Sequence, residues 1–410
     1  MSTSGRTADD ADAPSASDVA GLLAGAEFVR LLARADGDCL AAAGLLARAC
    51  AQRGVPYQVR VGRFGETLAD PESDESDESD ESADESDTTV GVGLDPTADA
   101  HLPSETTPAS ATAYDAAREM DASPDPVLAL AGVVAAGHPP GASASAHVLE
   151  AARARGLERR PGVGVPTDDI ADGLAHSTLA QAEYSGDPEA AQAALAELGL
   201  PAELDASAHQ RVASEFALAV AGAASATDRA AEAVERALRP HAIPDGEPAG
   251  DEGDAAADAP FATVEGYADV LEAVARERPG AGVALALGHD ARADALDAWR
   301  DHAERAHAAL REGTTGRYDG LFVLRTEDAP VETVARLLLD FRSPEPTALV
   351  VAESEAAAAA LEDRNVGSAM AEAAAEIGGI GGGTPRRGYA RFDPETDATE
   401  FLSAFREARP

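Results

Sequence analysis

The sequence predicts a two-domain α/β protein, and three observations carry that prediction. Strand-type and helix-type segments alternate, most clearly in the second half, which implies sheets flanked by helices. The chain has 410 residues, room for two domains of ordinary size. A run rich in Gly, Asp, Glu and Ala at 244–260 reads as a linker between them. The expected organisation is a disordered polar tail at 1–16, a first domain at 17–243 and a smaller second α/β domain at 261–410. Within the first domain, 70–88 is an acidic Ser-Asp-Glu repeat, too charged to bury anything, and reads as a disordered insertion.

The elements follow in order. Ser17 or Asp18 caps a short first helix. Glu27–Leu32 is an apolar run of strand type, and a tight polar loop, Arg34–Asp38, comes after it. Cys39–Arg53 is helical, with Leu40, Ala43, Gly44, Ala47 and Ala51 on one face and Gly54 as its terminator. Pro56–Val61 and Thr89–Leu94 read as further strands. Helices are expected at Ala111–Met120, Val127–Ala136, Ala144–Arg155, Pro188–Leu198 and Ala206–Leu238, a helical extension of the first domain. The second half alternates: helix Val264–Arg276, strand Gly282–Leu287, helix Arg292–Arg311 with the sole tryptophan Trp299, strand Gly320–Leu324 and helix Val331–Leu339. Strand Thr347–Val351, helices Glu355–Glu362 and Gly367–Ile377, strand Tyr389–Phe392 and helix Thr396–Glu407 complete it.

Composition narrows the setting. Hydrophobic residues make up 45% but aromatics only 4%, so the cores are built from small side chains. The net charge is −42, and every basic residue is arginine. Such a charge repels itself in dilute buffer, whereas in molar salt the Debye length falls to about 3 Å. The acidity therefore reads as adaptation to a saline cytoplasm, and describes the whole surface rather than one groove. Two cysteines, Cys39 and Cys50, are too few for a disulfide framework and fit a reducing cytosol. The first residues lack the apolar core of a signal peptide, and no apolar run approaches the roughly 20 residues that span a bilayer.

Three segments are candidates for chemistry. Gly378 to Arg387 holds five glycines in six positions between a helix and a strand. Its backbone N–H groups suit a concave anion site, with Gly381, Gly382, Gly383 and Thr384 cradling a phosphate and Arg386 and Arg387 adding guanidinium contacts. A tightly packed turn that binds nothing accounts equally well for the glycines. Asp36 and Asp38, two apart on a strand-to-helix loop, suit a hard divalent cation. Taken alone, they are more simply a turn residue and a helix cap, with Asp38 capping. Asp95 at a strand end is a third candidate, with the turn again the simpler reading. Asp168, Asp172 and His176 lie in or near an acidic loop and are further candidates to complete a metal site, although a helix cap is the simpler reading of that loop. The nine histidines show no HxxxH spacing, and there is no Walker loop and no Ser-His-Asp or Cys-His arrangement.

Read together, these segments resemble the DHH phosphoesterase family in its RecJ-like branch, of haloarchaeal type. The run Arg34-Ala35-Asp36-Gly37-Asp38-Cys39 followed by LAAAGLLARA is similar to the family's first motif, HxDxDG, with Arg34 at the histidine and Cys39 at the glycine. Arg364–Met370 through GGIGGGTPRRGYARF resembles the closing GGGH-type loop, with Thr384 in place of the histidine. Val264–Gly288 is similar to the region joining the two domains. The Asp-His-His triplet that names the family is absent. The resemblance implies a DHH-type parallel-sheet domain and a DHH-associated domain facing each other across a cleft. It also implies manganese- or magnesium-dependent phosphodiester hydrolysis in the family, with Asp36, Asp38 and Asp95 as the metal ligands here. Two functions follow. One is a protein of single-stranded DNA or RNA, in replication, repair or RNA turnover, whose phosphodiesterase is impaired or lost and which binds the strand or a protein partner. The alternative is an active manganese-dependent single-strand exonuclease or oligonucleotide phosphoesterase.

Overall fold

The computed structural model describes residues 14–66, 68, 87–94, 97–201, 204–223, 226–244 and 260–409. Nearly all of the expected tail, Ser-Asp-Glu insertion and linker lies outside the described residues, and so does Asp95. The chain forms two compact units, and they do not divide at the linker. Residues 1–62, 67–156 and 271–295 form one, while 63–66, 157–270 and 296–410 form the other. Residues 157–243, assigned by sequence to the first domain, thus fall in the second unit. Among the described residues no helix is long and apolar enough to cross a membrane.

The first unit opens with helix α1 (Ala16–Gly25), capped by Ser15 in a reciprocal capping box with Asp18 rather than by Ser17 or Asp18. Strand β1 (Phe28–Arg34), helix α2 (Gly37–Arg53) and strand β2 (Tyr57–Gly62) make a parallel βαβ unit. Gly54 ends α2 in the left-handed conformation, φ 76°, as its position after the last apolar residue predicts. Strands β3 (Asp87–Val92) and β4 (Ala100–Leu102) extend the sheet to the order β2-β1-β3-β4, parallel throughout. Helices α3 (Ala109–Glu119), α4 (Pro126–Ala135) and α5 (Ala146–Ala154) follow. Alpha-2 is buried nearly all round, which its small residues allow. A methyl group on Gly44 would lie 2.7 Å from the Ala286 side chain, and one on Gly132 would lie 2.9 Å from that of Ala41.

The second unit begins with β5 (Glu158–Arg159), α6 (Ile170–His176), α7 (Pro188–Glu197), α8 (Ala206–Ala221), α9 (Asp228–Val234) and β6 (His241–Ala242). The single helix expected over Ala206–Leu238 is broken, because α8 ends at Gly222 and Thr227 starts α9. Next come α10 (Val264–Glu277), α11 (Pro279–Ala286) and α12 (Arg292–Glu312), of which α11 lies in the first unit. Gly282–Leu287, expected as a strand, falls largely in α11. A short apolar run fits either state, and the proline at its first turn starts a helix.

Strands β7 (Thr314–Tyr318), β8 (Leu321–Arg325), β9 (Thr347–Val351), β10 (Glu355–Ala360), β11 (Ile380–Gly383) and β12 (Arg387–Arg391) form a mixed sheet in the order β11-β12-β10-β9-β8-β7. Helices α13 (Val331–Phe341), α14 (Val366–Glu376) and α15 (Ala398–Ala408) complete the chain. Glu355–Glu362, expected as a helix, instead holds strand β10. Its five consecutive alanines favour a helix by intrinsic propensity, yet they form an interior strand between β9 and β12. Ala357 and Ala359 pack into the core on one face, and Ala356, Ala358 and Ala360 into the core on the other. The period of two, invisible in a uniform run, is imposed by the neighbouring strands.

Alpha-14 docks against the β11–β12 hairpin through Gly367. A methyl group there would lie 2.3 Å from the Gly383 carbonyl carbon, which cannot move without breaking the hairpin. Gly367→Ala should therefore lower unfolding free energy by about 2–3 kcal/mol in denaturant titrations. Gly280→Ala, with nothing within 4 Å of the new methyl, should be neutral or stabilise by about 0.5–1 kcal/mol.

Candidate functional site

Beta-1 delivers Arg34 to the carboxyl end of the parallel sheet, where open α/β sheets place their sites. Asp36, not Asp38, is the N-cap of α2, and its Oδ1 accepts the Cys39 N–H at 2.9 Å. The Arg34 guanidinium lies against the same carboxylate. Its Nε donates to Asp36 Oδ2, its Nη2 to Ser104 Oγ at 2.6 Å, and its Nη1 reaches the Gly93 carbonyl at 3.4 Å. Burial disfavours both charges, but each outweighs that penalty through the other. Asp36 is held below the usual carboxylate range by Arg34, the Cys39 amide and Arg276, and Arg34 stays protonated chiefly through Asp36.

Asp38 serves a different helix. Its Oδ2 accepts the Ala109 N–H at 2.8 Å, and its Oδ1 accepts the Ser110 N–H at 3.0 Å and the Ser110 hydroxyl at 2.6 Å. These groups open α3, whose N-cap residue, Pro108, has no side chain that can cap. Burial and the charge of Asp36 push Asp38 up to about 7, against the pull of those three bonds. A third carboxylate, Glu272, accepts the Gly37 N–H at 2.7 Å and pairs with Arg276 at 2.9 Å. Burial raises the Cys39 thiol well above its ordinary value, which disfavours the thiolate.

A hard divalent ion needs carboxylate oxygens that are free to coordinate. Both oxygens of Asp38 are engaged by three donors, and those of Asp36 by an amide and a guanidinium. The pair does not fit a two-metal centre, and no three His, Cys, Asp or Glu side chains converge as a metal-binding group among the described residues.

Within the glycine-rich segment, Ile380–Gly383 forms strand β11, and Thr384–Arg386 connect it to β12. Gly381 lies close to the Met370 carbonyl and the Ala374 side chain, so this glycine serves packing by α14. Thr384 is buried, and its hydroxyl accepts the N–H groups of Arg386 and Arg387 at 3.3 and 3.1 Å. Those two amides are thereby occupied. Arg386 pairs with Asp363 at 2.6 Å, whereas Arg387 is exposed with no ion pair among the described residues.

Asp168, Asp172 and His176 belong to the second unit, and Asp36 and Asp38 to the first. Asp169 caps α6, which accounts for the acidic run, and Asp168 is exposed. His176 stands between carboxylates, Nδ1 at 3.0 Å from Asp172 and Nε2 at 3.3 Å from Glu304, while Arg300 clasps Asp172. Beneath them Asp269 is fully enclosed by Trp299 Nε1 at 2.9 Å and the amide and hydroxyl of Thr178. Local spacing accounts for the Asp172–His176 and Glu272–Arg276 pairs, each four apart on a helix, but not for the distant partnerships. The donors on Asp38 are 71 and 72 residues away, and Glu272 is 235 residues from Gly37.

Residues 313–407 match the model of a family described as the C-terminal domain of uncharacterized protein rrnAC1427. Over all 410 residues the chain is 49% identical to uncharacterized protein rrnAC1427 of Haloarcula marismortui, with both chains covered completely. The chain therefore belongs to the rrnAC1427 family. Among solved structures, CDC45 from Entamoeba histolytica matches with a TM-score of 0.56 at 10% identity, over 95% of this chain and 97% of that one. RecJ from Thermus thermophilus, in complex with Mn2+, matches with a TM-score of 0.50 at 13% identity, over 97% of this chain. The chain spans 55% of that RecJ chain. At these identities the likeness is one of fold, and the fold is RecJ-like.

Two measurements check this electrostatic description. Asp38→Asn turns an NH2 group toward one of two backbone N–H donors, so stability should fall by about 1–3 kcal/mol at pH 8 in denaturant titrations. His307 is fully buried and held down to about 4 by burial and by nearby Arg311, His176 and His302. Its contribution to stability is complete above the ordinary histidine value near 6.5 and is lost as pH falls toward 4. Relative to His307→Gln, the wild type should thus lose up to about 3 kcal/mol between about pH 7 and pH 4.

Proposed function

We propose that this member of the rrnAC1427 family is a RecJ-like protein of single-stranded nucleic acid that has lost phosphodiester hydrolysis. It acts by binding, either to the strand itself or to a replication or repair partner, in a saline cytosol. The observation that carries this reading is the engagement of every oxygen of Asp36 and Asp38 by groups of the protein. The family resemblance assigns both residues to divalent ions, and hydrolysis through two metals requires positions open to substrate and water. The likeness of fold to RecJ and CDC45 supports the connection with single strands and replication. On this reading Arg387, exposed and without an ion pair among the described residues, is the first group to meet a phosphate, with Arg386 beside it.

Release of nucleotides from end-labelled single-stranded DNA and RNA, in molar potassium chloride with millimolar manganese, tests the loss of hydrolysis. The wild type should release none while remaining folded by circular dichroism. Manganese-dependent release by the wild type, absent from Asp36→Ala/Asp38→Ala, would instead establish the exonuclease. Binding is read separately by fluorescence anisotropy across a salt series. Arg386→Ala/Arg387→Ala should weaken it and flatten the salt slope by about 1.4, or about 0.7 for each phosphate that an arginine no longer neutralises.

A further inference from the structure

The poor fit of the carboxylate pair to a metal, on which the preceding reading rests, traces to one side chain. We infer that Arg34 is the resident cation of an oxygen pocket that its removal would open to a divalent ion. Among the described residues, oxygens of three different kinds converge on the guanidinium: the Asp36 carboxylate, the Ser104 hydroxyl and the Gly93 carbonyl. Carboxylate, hydroxyl and carbonyl oxygens are the ligands that hard ions such as magnesium and manganese take. They lie just beyond the carboxyl ends of β1, β4 and β3, adjacent parallel strands, so the backbone of the sheet fixes their spacing.

The guanidinium fits as a built-in part. It is planar, fixed in charge and directs separate N–H groups at separate acceptors. Gly93, at φ 68°, lets its carbonyl approach, since a methyl group there would lie 3.3 Å from Arg34 Cζ and 2.5 Å from Cys39 Sγ. Arginine and metal are therefore alternatives for one set of oxygens. Chelators should leave the wild type unchanged.

The test uses the full chain with manganese alone as the probe, in molar potassium chloride. Thermal midpoints are read in manganese and in EDTA, and bound manganese is counted by the loss of the free-ion electron paramagnetic resonance signal. The wild type should have one midpoint in both solutions. Arg34→Ala should unfold at a lower temperature in EDTA and bind manganese at least about tenfold more tightly than the wild type, a difference of about 1.4 kcal/mol. Arg34→Lys, which keeps a tethered cation, should stay indifferent to manganese. If Arg34→Ala folds only when manganese is present, that too carries the inference. Manganese stabilising the wild type as much as the variant would overturn it, as would an Arg34→Ala protein that ignores manganese or fails to fold in its presence. Nucleotide release by the wild type would overturn the loss of hydrolysis. An inert wild type with a manganese-blind Arg34→Ala would overturn only the pocket.

Discussion

A helix that starts inside a protein exposes N–H groups with no partner in its own first turn, and the first unit answers this with buried and half-buried carboxylates. Asp36 and Glu272 serve the start of α2, and Asp38 serves the start of α3. Buried carboxylates then require cations, which Arg34 and Arg276 provide. Beta-1, the βα turn, α2 and α3 are tied into one polar node by these few bonds. The arrangement that suggests a metal centre in sequence is, in three dimensions, a set of helix caps with their counter-ions.

The sequence supports this outcome only in part. Alternation and glycine punctuation locate β1, α2, β2, α10, α12, α13, β9, α14 and α15 to within a few residues. A run such as Ala356–Ala360 has no such pattern, so its state depends on the strands beside it. The same limit applies to the site. Asp36 and Asp38 stand out by spacing, and capping is the simpler reading of them, but the cap of α2 belongs to Asp36. Asp38 caps a helix that begins 71 residues later. No local rule connects Arg34 with Ser104, or Asp269 with Trp299. The glycines of β11 stand out by composition, whereas their close fit against α14 and β12 is a property of the packed hairpin.

Small side chains set the character of the whole molecule. With few aromatic residues, helices and strands approach closely, and individual glycine and alanine positions carry geometric weight that bulkier residues carry in other proteins. Gly44 against Ala286 and Gly367 against Gly383 are approaches of this kind.

The path of the chain has a further consequence. Arg63–Glu66 leaves the first unit for four residues and belongs with the second. There Arg63 bonds Glu355 and Tyr389, and Glu66 pairs with Arg391. The first unit in turn takes residues 271–295, including Glu272, from far along the sequence. During synthesis, neither unit has all its parts until much of the chain has left the ribosome. The first unit is complete only once residues 271–295 are made and the second only near the end of the chain, so the last step of assembly in each waits on segments made late.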